Sequence, residues 1–340
     1  MQQFIIRGGE PLNGTIKPGG NKNAALKMLA ACLLTDEPVI LHNVPDILDM
    51  RTGVEIMRQL GAQVEWLNDQ ALRVHAHEIS TSQLDKKLAS KMRSSIIFAG
   101  PMLGRRGEII LPPPGGDAIG ERRLDSHVVA LRKLGADIQF DGVFTMRAPE
   151  LHGATILLPE ASVTATENAV MAAVLAKGTT VINNAASEPH VQDLCRMLNA
   201  LGGQIEGIGS NRLTIQGVER LHGGEARIGA DFMEVGSFIG AAVMTGGTIT
   251  LENADPQYLD MVALVYERLG IVWETRGSDI YVPAGQAMTI VADLGNRIPI
   301  IKAQPWPAFP PDLMSIGLVM ATQCAGAVLF HDWMYESRFF

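Results

Sequence analysis

The hydrophobic and polar positions predict two kinds of helix that alternate along the chain. Helices of the first kind are apolar or small-sided at nearly every position and too short to span a membrane, so we expect burial on most sides. They fall in NKNAALKMLAACLL, KMRSSIIFAGPML, SVTATENAVMAAVLA, DFMEVGSFIGAAVM and PDLMSIGLVMATQ. Helices of the second kind are amphipathic, end in Leu-Gly and run into an alternating strand, as in IMRQLGAQVEW, ALRKLGADIQF, MLNALGGQIEG and VYERLGIVWET.

This alternation is an internal repeat of about 70 residues. The Leu-Gly glycines are Gly61, Gly135, Gly202 and Gly270, and each is predicted to be a left-handed C-cap that turns the helix into the strand. We expect stacked repeats with their sheets outward and their apolar helices inward. Four repeats and the opening of a fifth are present, and because the sequence stops on two phenylalanines we expect it to be truncated.

Composition narrows the class of protein. Of 340 residues, 47% are hydrophobic and 19% charged, which predicts a folded chain with a sizeable core. The net charge of −8 argues against a general nucleic-acid or anionic-membrane binder, so any anion site must be local. We find no signal-peptide pattern and no uncharged apolar run of membrane length, and we expect a cytoplasmic protein.

The sequence lacks the common metal and nucleophile motifs. Cys32, Cys195 and Cys324 lie in apolar stretches without a CxxC or Cys/His partner, so we predict buried free thiols and no metal. His127 and His190 are predicted to be structural histidines with satisfied hydrogen bonds. No HExxH, Ser/His/Asp or strand-following GxGxxG pattern occurs.

Polar residues concentrate where the buried helices start. Helix N-termini offer free N–H groups and the positive end of a dipole, which suits phosphate. If the buried helices are equivalent, their starts should converge on one side. The residues at these starts are Lys22 and Asn23, Arg93, Ser162 and Val163, Asp231, and Asp312.

The loop LPPPGGDAIGERRLDSHV adds charge to a Gly/Pro-rich segment. An aspartate beside glycines is most often a turn former, but Asp117 is followed by Arg122 and Arg123 within six residues. Gly115 and Gly116 provide the flexibility that a closing loop requires. The combination predicts a lid that closes over a phosphorylated substrate.

With these segments the sequence resembles the UDP-N-acetylglucosamine 1-carboxyvinyltransferase family of enolpyruvyl transferases. The matching segments run in family order and include GGNKNAAL, SKMRSSI, LPPPGGDAIGERRLDSHV, ENAVMAA, TTVINNAASEPHVQDLC, GVERL, PWPAFPPD and ESRF. The resemblance implies an α/β fold of inside-out, barrel-like repeats in two domains with the active site between them. The first domain would be residues 22–229, and the second residues 1–21 with 230–340, lacking its last repeat.

The family reaction moves the enolpyruvyl group of phosphoenolpyruvate to the 3′-hydroxyl of UDP-N-acetylglucosamine and releases phosphate. It is the first committed step of peptidoglycan synthesis. The resemblance implies only these two small-molecule substrates and no cofactor, and we expect a monomer. The open alternatives are the related 3-phosphoshikimate enzyme, which shares the fold, and a non-catalytic paralogue that binds a nucleotide sugar.

The resemblance also implies roles for individual residues. Lys22 and Arg122 would hold phosphoenolpyruvate, with Arg93 in support, and Asp312 is the candidate base. Asn23 would contact the sugar or the reaction intermediate. Residues matching the segments around the uridine diphosphate and its sugar are Arg122, Arg123, Leu124, Asp125, Ser162, Val163 and Met334.

The sequence departs from the family pattern at several positions. The family's arginine near its C-terminus lies beyond the end of this chain, and Glu160 and Phe232 replace frequent basic residues. Asp117 stands where many members carry a cysteine that serves as general-acid candidate and is alkylated by fosfomycin. A carboxylic acid with a pKa raised by closure can supply the proton.

We therefore predict that fosfomycin fails on this protein although the reaction survives. A carboxylate is a far poorer nucleophile towards an epoxide than a thiolate. Inactivation of the enzyme by fosfomycin at ordinary inhibitory doses would contradict this prediction.

Overall fold

The structure is a computed structural model that describes residues 3–115, 123–335 and 339. The chain divides into two compact units. One contains residues 20–229 and is called the central unit. The other combines residues 1–19 with 230–340 and is called the terminal unit.

The central unit alternates buried and amphipathic helices, as predicted. Three inner helical segments are buried over most of their length, because small and apolar residues surround each of them. They are α1 (Lys22–Ala31), α4 (Ala99–Arg106), which continues the 3-10 helix Arg93–Phe98, and α6 (Val163–Ala173). The amphipathic helices are α2 (Leu48–Gln59), α5 (Asp125–Lys133) and α7 (Pro189–Ala200), and short helices occur at Cys32–Leu34 and at α3 (Lys86–Ala89).

Each repeat of the central unit contributes one small sheet, and the described residues form no closed barrel. Exposed and buried side chains alternate along the strands, so one face of each sheet covers the core and the other faces solvent. The first sheet has the order β12-β2-β4-β3 and uses β2 (Val39–His42), β3 (Gln63–Asn68), β4 (Ala71–His75) and β12 (Gly224–Arg227). The second, β5-β7-β6, uses β5 (Glu108–Leu111), β6 (Asp137–Phe140) and β7 (Phe144–Arg147). The third, β10-β11-β9-β8, uses β8 (Thr155–Leu157), β9 (Thr179–Asn183), β10 (Gln204–Glu206) and β11 (Arg212–Gln216).

The terminal unit repeats the same plan. Its helices are α8 (Phe232–Thr245), α9 (Asp260–Glu267) and α10 (Met314–Ala321), with 3-10 helices at Pro256–Tyr258 and Pro311–Leu313. One sheet, β1-β13-β15-β14, uses β1 (Gly14–Ile16), β13 (Ile249–Leu251), β14 (Glu274–Arg276) and β15 (Asp279–Val282). A second sheet pairs β16 (Ile300–Lys302) with β17 (Leu329–His331) in parallel.

The inner helices of the central unit run parallel, and their contacts fix the alignment. A Cβ placed on Gly100 would lie 2.4 Å from the Asn168 carbonyl oxygen, and one on Gly104 would lie 3.6 Å from that of Met171 and 3.3 Å from the Leu34 side chain. Contacts therefore advance together along the helices, which brings the helix starts to one end of this unit. The predicted convergence holds within the central unit.

The terminal unit shows the same alignment between α8 and the segment ending in α10. Gly236 packs on Leu313, and one turn further Gly240 packs on Ile316 and Met320. The starts of these two helices lie at the same end of the terminal unit.

Burial differs from the sequence expectation in two places. Leu318 and Val319 on α10 are 39% and 55% exposed, so this helix is not buried on most sides. Cys32 and Cys195 are buried free thiols as predicted, whereas Cys324 is half-buried. Its sulfur lies near the C-terminal end of α10, where the partly exposed helix gives less cover than the core of the central unit.

The four Leu-Gly glycines are left-handed, as predicted. Their φ angles are 109°, 104°, 99° and 74° at Gly61, Gly135, Gly202 and Gly270. At Gly61 a Cβ would also lie 2.9 Å from the Glu78 carbonyl oxygen and the Ser80 nitrogen, whereas at Gly135 the nearest atom is 3.5 Å away.

Gly61→Ala and Gly135→Ala should both destabilise the protein, because an alanine at positive φ costs about 1–2 kcal/mol. Gly61→Ala should lower the free energy of unfolding by at least about 1 kcal/mol more, because its methyl group overlaps backbone atoms. Urea unfolding of the two variants measures this difference. Equal losses would contradict the assigned backbone contact at Gly61.

Candidate functional site

The first turn of α1 places a lysine and an asparagine at the end of a buried helix. The Asn21 side chain caps this helix by accepting a hydrogen bond from the Ala24 backbone N–H at 3.1 Å. The helix therefore begins at Lys22, and Asn23 lies in its first turn. Lys22 is exposed, and Asn23 is half-buried. The Lys22 ammonium lies 3.0 Å from Asp49 on the first turn of α2, so it is paired with a carboxylate that sequence reasoning missed.

The other two inner helices of the central unit also start with the predicted residues. Arg93 is half-buried and is the first residue of the 3-10 helix that leads into α4. Ser162 is the N-cap of α6, and Val163 is its first residue. Both are half-buried, and their helix carries no acidic residue in its first turn. This end therefore offers backbone N–H groups together with cationic side chains, which is the chemistry that binds phosphate.

His127 joins these helix starts from α5. Its Nδ1 accepts from the Asn168 side-chain nitrogen at 2.9 Å, and its Nε2 lies 3.0 Å from the Thr164 hydroxyl in the first turn of α6. Asn168 also donates to the Ile96 carbonyl and accepts from the Gly100 N–H. Burial, with the nearby charge of Arg93, lowers the pKa of His127 to about 3. His127 is thus a neutral, satisfied structural histidine, as predicted.

The segment before α6 is tied to the start of α5. Glu160 accepts from the Ser126 hydroxyl at 3.1 Å, and its carbonyl accepts from the Ser162 N–H at 2.8 Å. The carboxylate that replaces a frequent lysine therefore has a structural partner. Arg123 and Asp125 form an exposed ion pair with 2.9 Å between Nε and Oδ2, and Leu124 between them is half-buried.

One buried ion pair was missed by sequence reasoning. Lys27 on α1 and Glu167 on α6 are almost fully buried, with 3.6 Å between the ammonium nitrogen and Oε2. Burial raises the pKa of Glu167 to about 7 and lowers that of Lys27, while their mutual attraction opposes both shifts. The available signal was one charged residue in the middle of each otherwise apolar helix.

His190 corrects the sequence expectation. Its ring is buried on the first turn of α7, and within the described residues Nδ1 has no hydrogen-bond partner. Burial, with the charge of Lys27, lowers its pKa well below the ordinary range. It was predicted to be satisfied, but its burial leaves one ring nitrogen without a hydrogen-bond partner in the described part of the chain.

In the terminal unit the helix starts carry carboxylates. Asp231 caps α8 by accepting from the Met233 N–H at 3.0 Å and more weakly from the Glu234 N–H. Asp312 is exposed in the 3-10 turn that leads into α10. Phe232 is buried with its ring edge-on to Trp306, so this replacement of a basic residue belongs to the core. Met334 is half-buried against the same core.

Two of the predicted residues, Asp117 and Arg122, lie outside the described residues, as does Gly116 of the proposed lid. Among the residues that the structure describes, no three His, Cys, Asp or Glu side chains are grouped to hold a metal ion. No helix in that part of the chain has the length and apolar character needed to cross a bilayer.

The fold is that of the enolpyruvyl transferases. An enolpyruvyl transferase from Streptomyces tendae, NikO, superimposes over 98% of this chain and 78% of its own with a TM-score of 0.83 at 21% identity. The EPSP synthase of Acinetobacter baumannii superimposes over 96% of this chain and 75% of its own with a TM-score of 0.72 at 17% identity. The family model for EPSP synthase (3-phosphoshikimate 1-carboxyvinyltransferase) matches residues 6–313.

Curated relatives identify the particular family. UDP-N-acetylglucosamine 1-carboxyvinyltransferases of Treponema denticola and Treponema pallidum are 51% and 50% identical over 340 residues, which is all of this chain and 80% of each relative. That of Bradyrhizobium diazoefficiens is 50% identical over 338 residues, or 99% of this chain and 78% of its own. The chain belongs to the UDP-N-acetylglucosamine 1-carboxyvinyltransferase family, as the sequence resemblance predicted.

The buried His127 predicts a pH-dependent stability. Between pH 6.5 and 3 the unfolded chain binds a proton at this residue while the folded chain does not. The free energy of unfolding should therefore fall as pH falls through this window, by up to about 1.4 kcal/mol per pH unit from this group.

Urea unfolding between pH 4 and 6.5 measures the slope. His127→Gln should flatten the slope relative to the wild type, whereas the exposed control His77→Gln should leave it unchanged. Parallel curves for His127→Gln and the wild type would contradict a neutral, buried His127.

Proposed function

We propose that this protein transfers the enolpyruvyl group of phosphoenolpyruvate to the 3′-hydroxyl of UDP-N-acetylglucosamine and releases phosphate. The observation that carries the proposal is 51% identity over the whole chain to a relative named for this activity. The reaction would supply peptidoglycan synthesis, and the enzyme would work in the cytoplasm as a monomer.

The chemistry is an addition followed by an elimination. A proton adds to C3 of phosphoenolpyruvate while the sugar 3′-oxygen loses its proton and bonds to C2, which gives a tetrahedral intermediate. The C2–O bond to phosphate then breaks, and C3 returns its proton. Two positioned acid–base groups and cations on the phosphate and carboxylate are therefore needed.

The helix starts of the central unit supply the anion-binding part of the proposal. Lys22 and Arg93 carry the positive charge, and Asn23 offers an amide to the sugar or the intermediate. The Lys22–Asp49 pair is half-exposed, so an incoming phosphate can compete with the carboxylate for the ammonium group. Val163 presents an N-terminal N–H group of α6 to the nucleotide diphosphate, and Ser162 offers its hydroxyl because its own N–H donates to the Glu160 carbonyl.

The remaining roles are inferred from the positions at which this sequence matches the family motifs. Asp312 is the proposed base for the 3′-hydroxyl, and it lies in the 3-10 turn that leads into α10. Asp117 is the proposed acid for C3, and Arg122 binds phosphoenolpyruvate. The other residues proposed to contact the nucleotide sugar are Arg123, Leu124, Asp125 and Met334. The proposed domains are residues 22–229 and residues 1–21 with 230–340.

The first test is phosphate release from phosphoenolpyruvate with UDP-N-acetylglucosamine present and then absent. Release should require the sugar, and Asp312→Asn should lower kcat at least about 100-fold because it removes the base. The matched surface control Glu150→Gln should retain activity, because the ion pairs that Glu150 forms in the described part of the chain are with the exposed side chains of His152 and Lys177. Sugar-independent release, or full activity in Asp312→Asn, would contradict the assignment.

A second variant tests the lid residue. Asp117→Cys should retain activity and gain time-dependent inactivation by fosfomycin, because a thiolate opens the epoxide and a carboxylate does not. The wild type is the control and should remain active. Fosfomycin resistance of an active Asp117→Cys variant would contradict the placement of residue 117 beside the reacting carbon.

A further inference from the structure

The buried pair of Lys27 and Glu167 lies at a defined depth below the proposed anion site. Helical residues four apart share one face, and they are separated by about 6 Å along the axis. Lys27 is four residues after Asn23 on α1, and Glu167 is four residues after Val163 on α6. The pair therefore joins the two helices one turn below two residues that the proposed function assigns to substrate.

Burial makes this contact costly to break. Lys27 is 3% exposed and Glu167 is fully buried, so removing one partner leaves the other charge in the protein interior without its paired counter-charge. The distance from the Lys27 ammonium nitrogen to Oε2 of Glu167 is 3.6 Å. Within the described residues, neither carboxylate oxygen of Glu167 has a hydrogen-bond partner. The attraction between these two charges therefore holds the two side chains together.

Other ionisable groups lie close enough to influence the pair. Lys22 and Glu188 act on Lys27 through their charges, and Glu188 acts on Glu167. His190 and Cys195 on α7 are buried beside the pair. A change at Lys27 or Glu167 will therefore change the electrostatic environment of Lys22 as well as the spacing of α1 and α6.

We propose that Lys27 and Glu167 are positioning residues that hold the first turns of α1 and α6 in register for substrate binding. The inference rests on the proposed function, since it concerns the same site. Neither residue touches the reacting atoms. Their effect is exerted through Lys22 and Asn23 on one helix and Ser162 and Val163 on the other.

The test compares Lys27→Met, Glu167→Gln and the double variant with the wild type. Each single variant should raise the Kd of UDP-N-acetylglucosamine and the KM of phosphoenolpyruvate at least about tenfold, because small displacements of positioning groups have large effects. In the double variant, Kd and KM should rise by about the same factor as in one single variant, because the pair acts as a unit. Independent residues would instead give the product of the two single-variant factors.

The surface pair of Lys177 and Glu150 provides the matched control. Lys177→Met and Glu150→Gln make the same chemical changes at exposed groups of the central unit. Both should leave Kd and KM within about twofold of the wild type, because exposed pairs contribute little. Assays run well below each variant's melting temperature, with the folded fraction checked by circular dichroism.

A purely structural pair would lower the melting temperature and leave Kd and KM unchanged, and that result would overturn the proposal. If the single variants do not fold, the double variant decides, because it removes both charges of the pair. A double variant that binds like the wild type, or that does not fold, would also overturn the proposal. The proposal would also be overturned if the rise in Kd and KM of the double variant equalled the product of the two single-variant factors.

The wild type separates this inference from the proposed function. If the wild type neither binds UDP-N-acetylglucosamine in calorimetry nor releases phosphate, the proposed function fails and the inference with it. If the wild type binds and turns over while folded Lys27→Met and Glu167→Gln match it, only the positioning role fails.

Discussion

A helix that is apolar on nearly every side can present polar groups only at its ends. This constraint governs both units, because α1, α4, α6 and α8 bury most of their surface. Their sides are committed to the core, so chemistry is left to the first turn, where the backbone N–H groups have no partner within the helix. The polar residues at these starts are therefore placed by the same burial that stabilises the fold.

Close packing sets the alignment of the helix starts. Gly100 lies against the backbone of Asn168, and the Asn168 side-chain oxygen accepts a hydrogen bond from the Gly100 N–H at 2.7 Å. A larger residue at 100 would push α4 away from α6 and break the network that includes His127. The position of Arg93 relative to Ser162 thus depends on a contact one to two turns deeper in the core.

Much of this organisation could be predicted from the sequence. Local sequence patterns predict the alternating helix types, the left-handed glycines such as Gly61 and the residues at the helix starts. They do so because burial and capping each require particular residue types at regular spacings. Local patterns do not predict which distant segments contact each other. The Lys27–Glu167 pair, the Lys22–Asp49 pair and the Nδ1 of His190, which has no hydrogen-bond partner among the described residues, depend on which helices pack together, so they required the structure.

The family resemblance contributed what neither pattern nor packing supplies. Asp117 and Arg122 are assigned only by their place in the motif, since they lie outside the described residues. The burial of Phe232 shows the opposite case, in which a departure from the family pattern is explained by packing against Trp306. The roles proposed for residues at the helix starts are therefore supported both by their match to the family motifs and by the geometry of the structure.

The most direct measurement offers phosphoenolpyruvate together with equal amounts of UDP-N-acetylglucosamine and shikimate 3-phosphate, and identifies the product by mass spectrometry. Both acceptors belong to enzymes of this fold, so the choice between them tests the assignment itself. We expect enolpyruvyl-UDP-N-acetylglucosamine as the product and unchanged shikimate 3-phosphate. Formation of the enolpyruvyl shikimate product would contradict it.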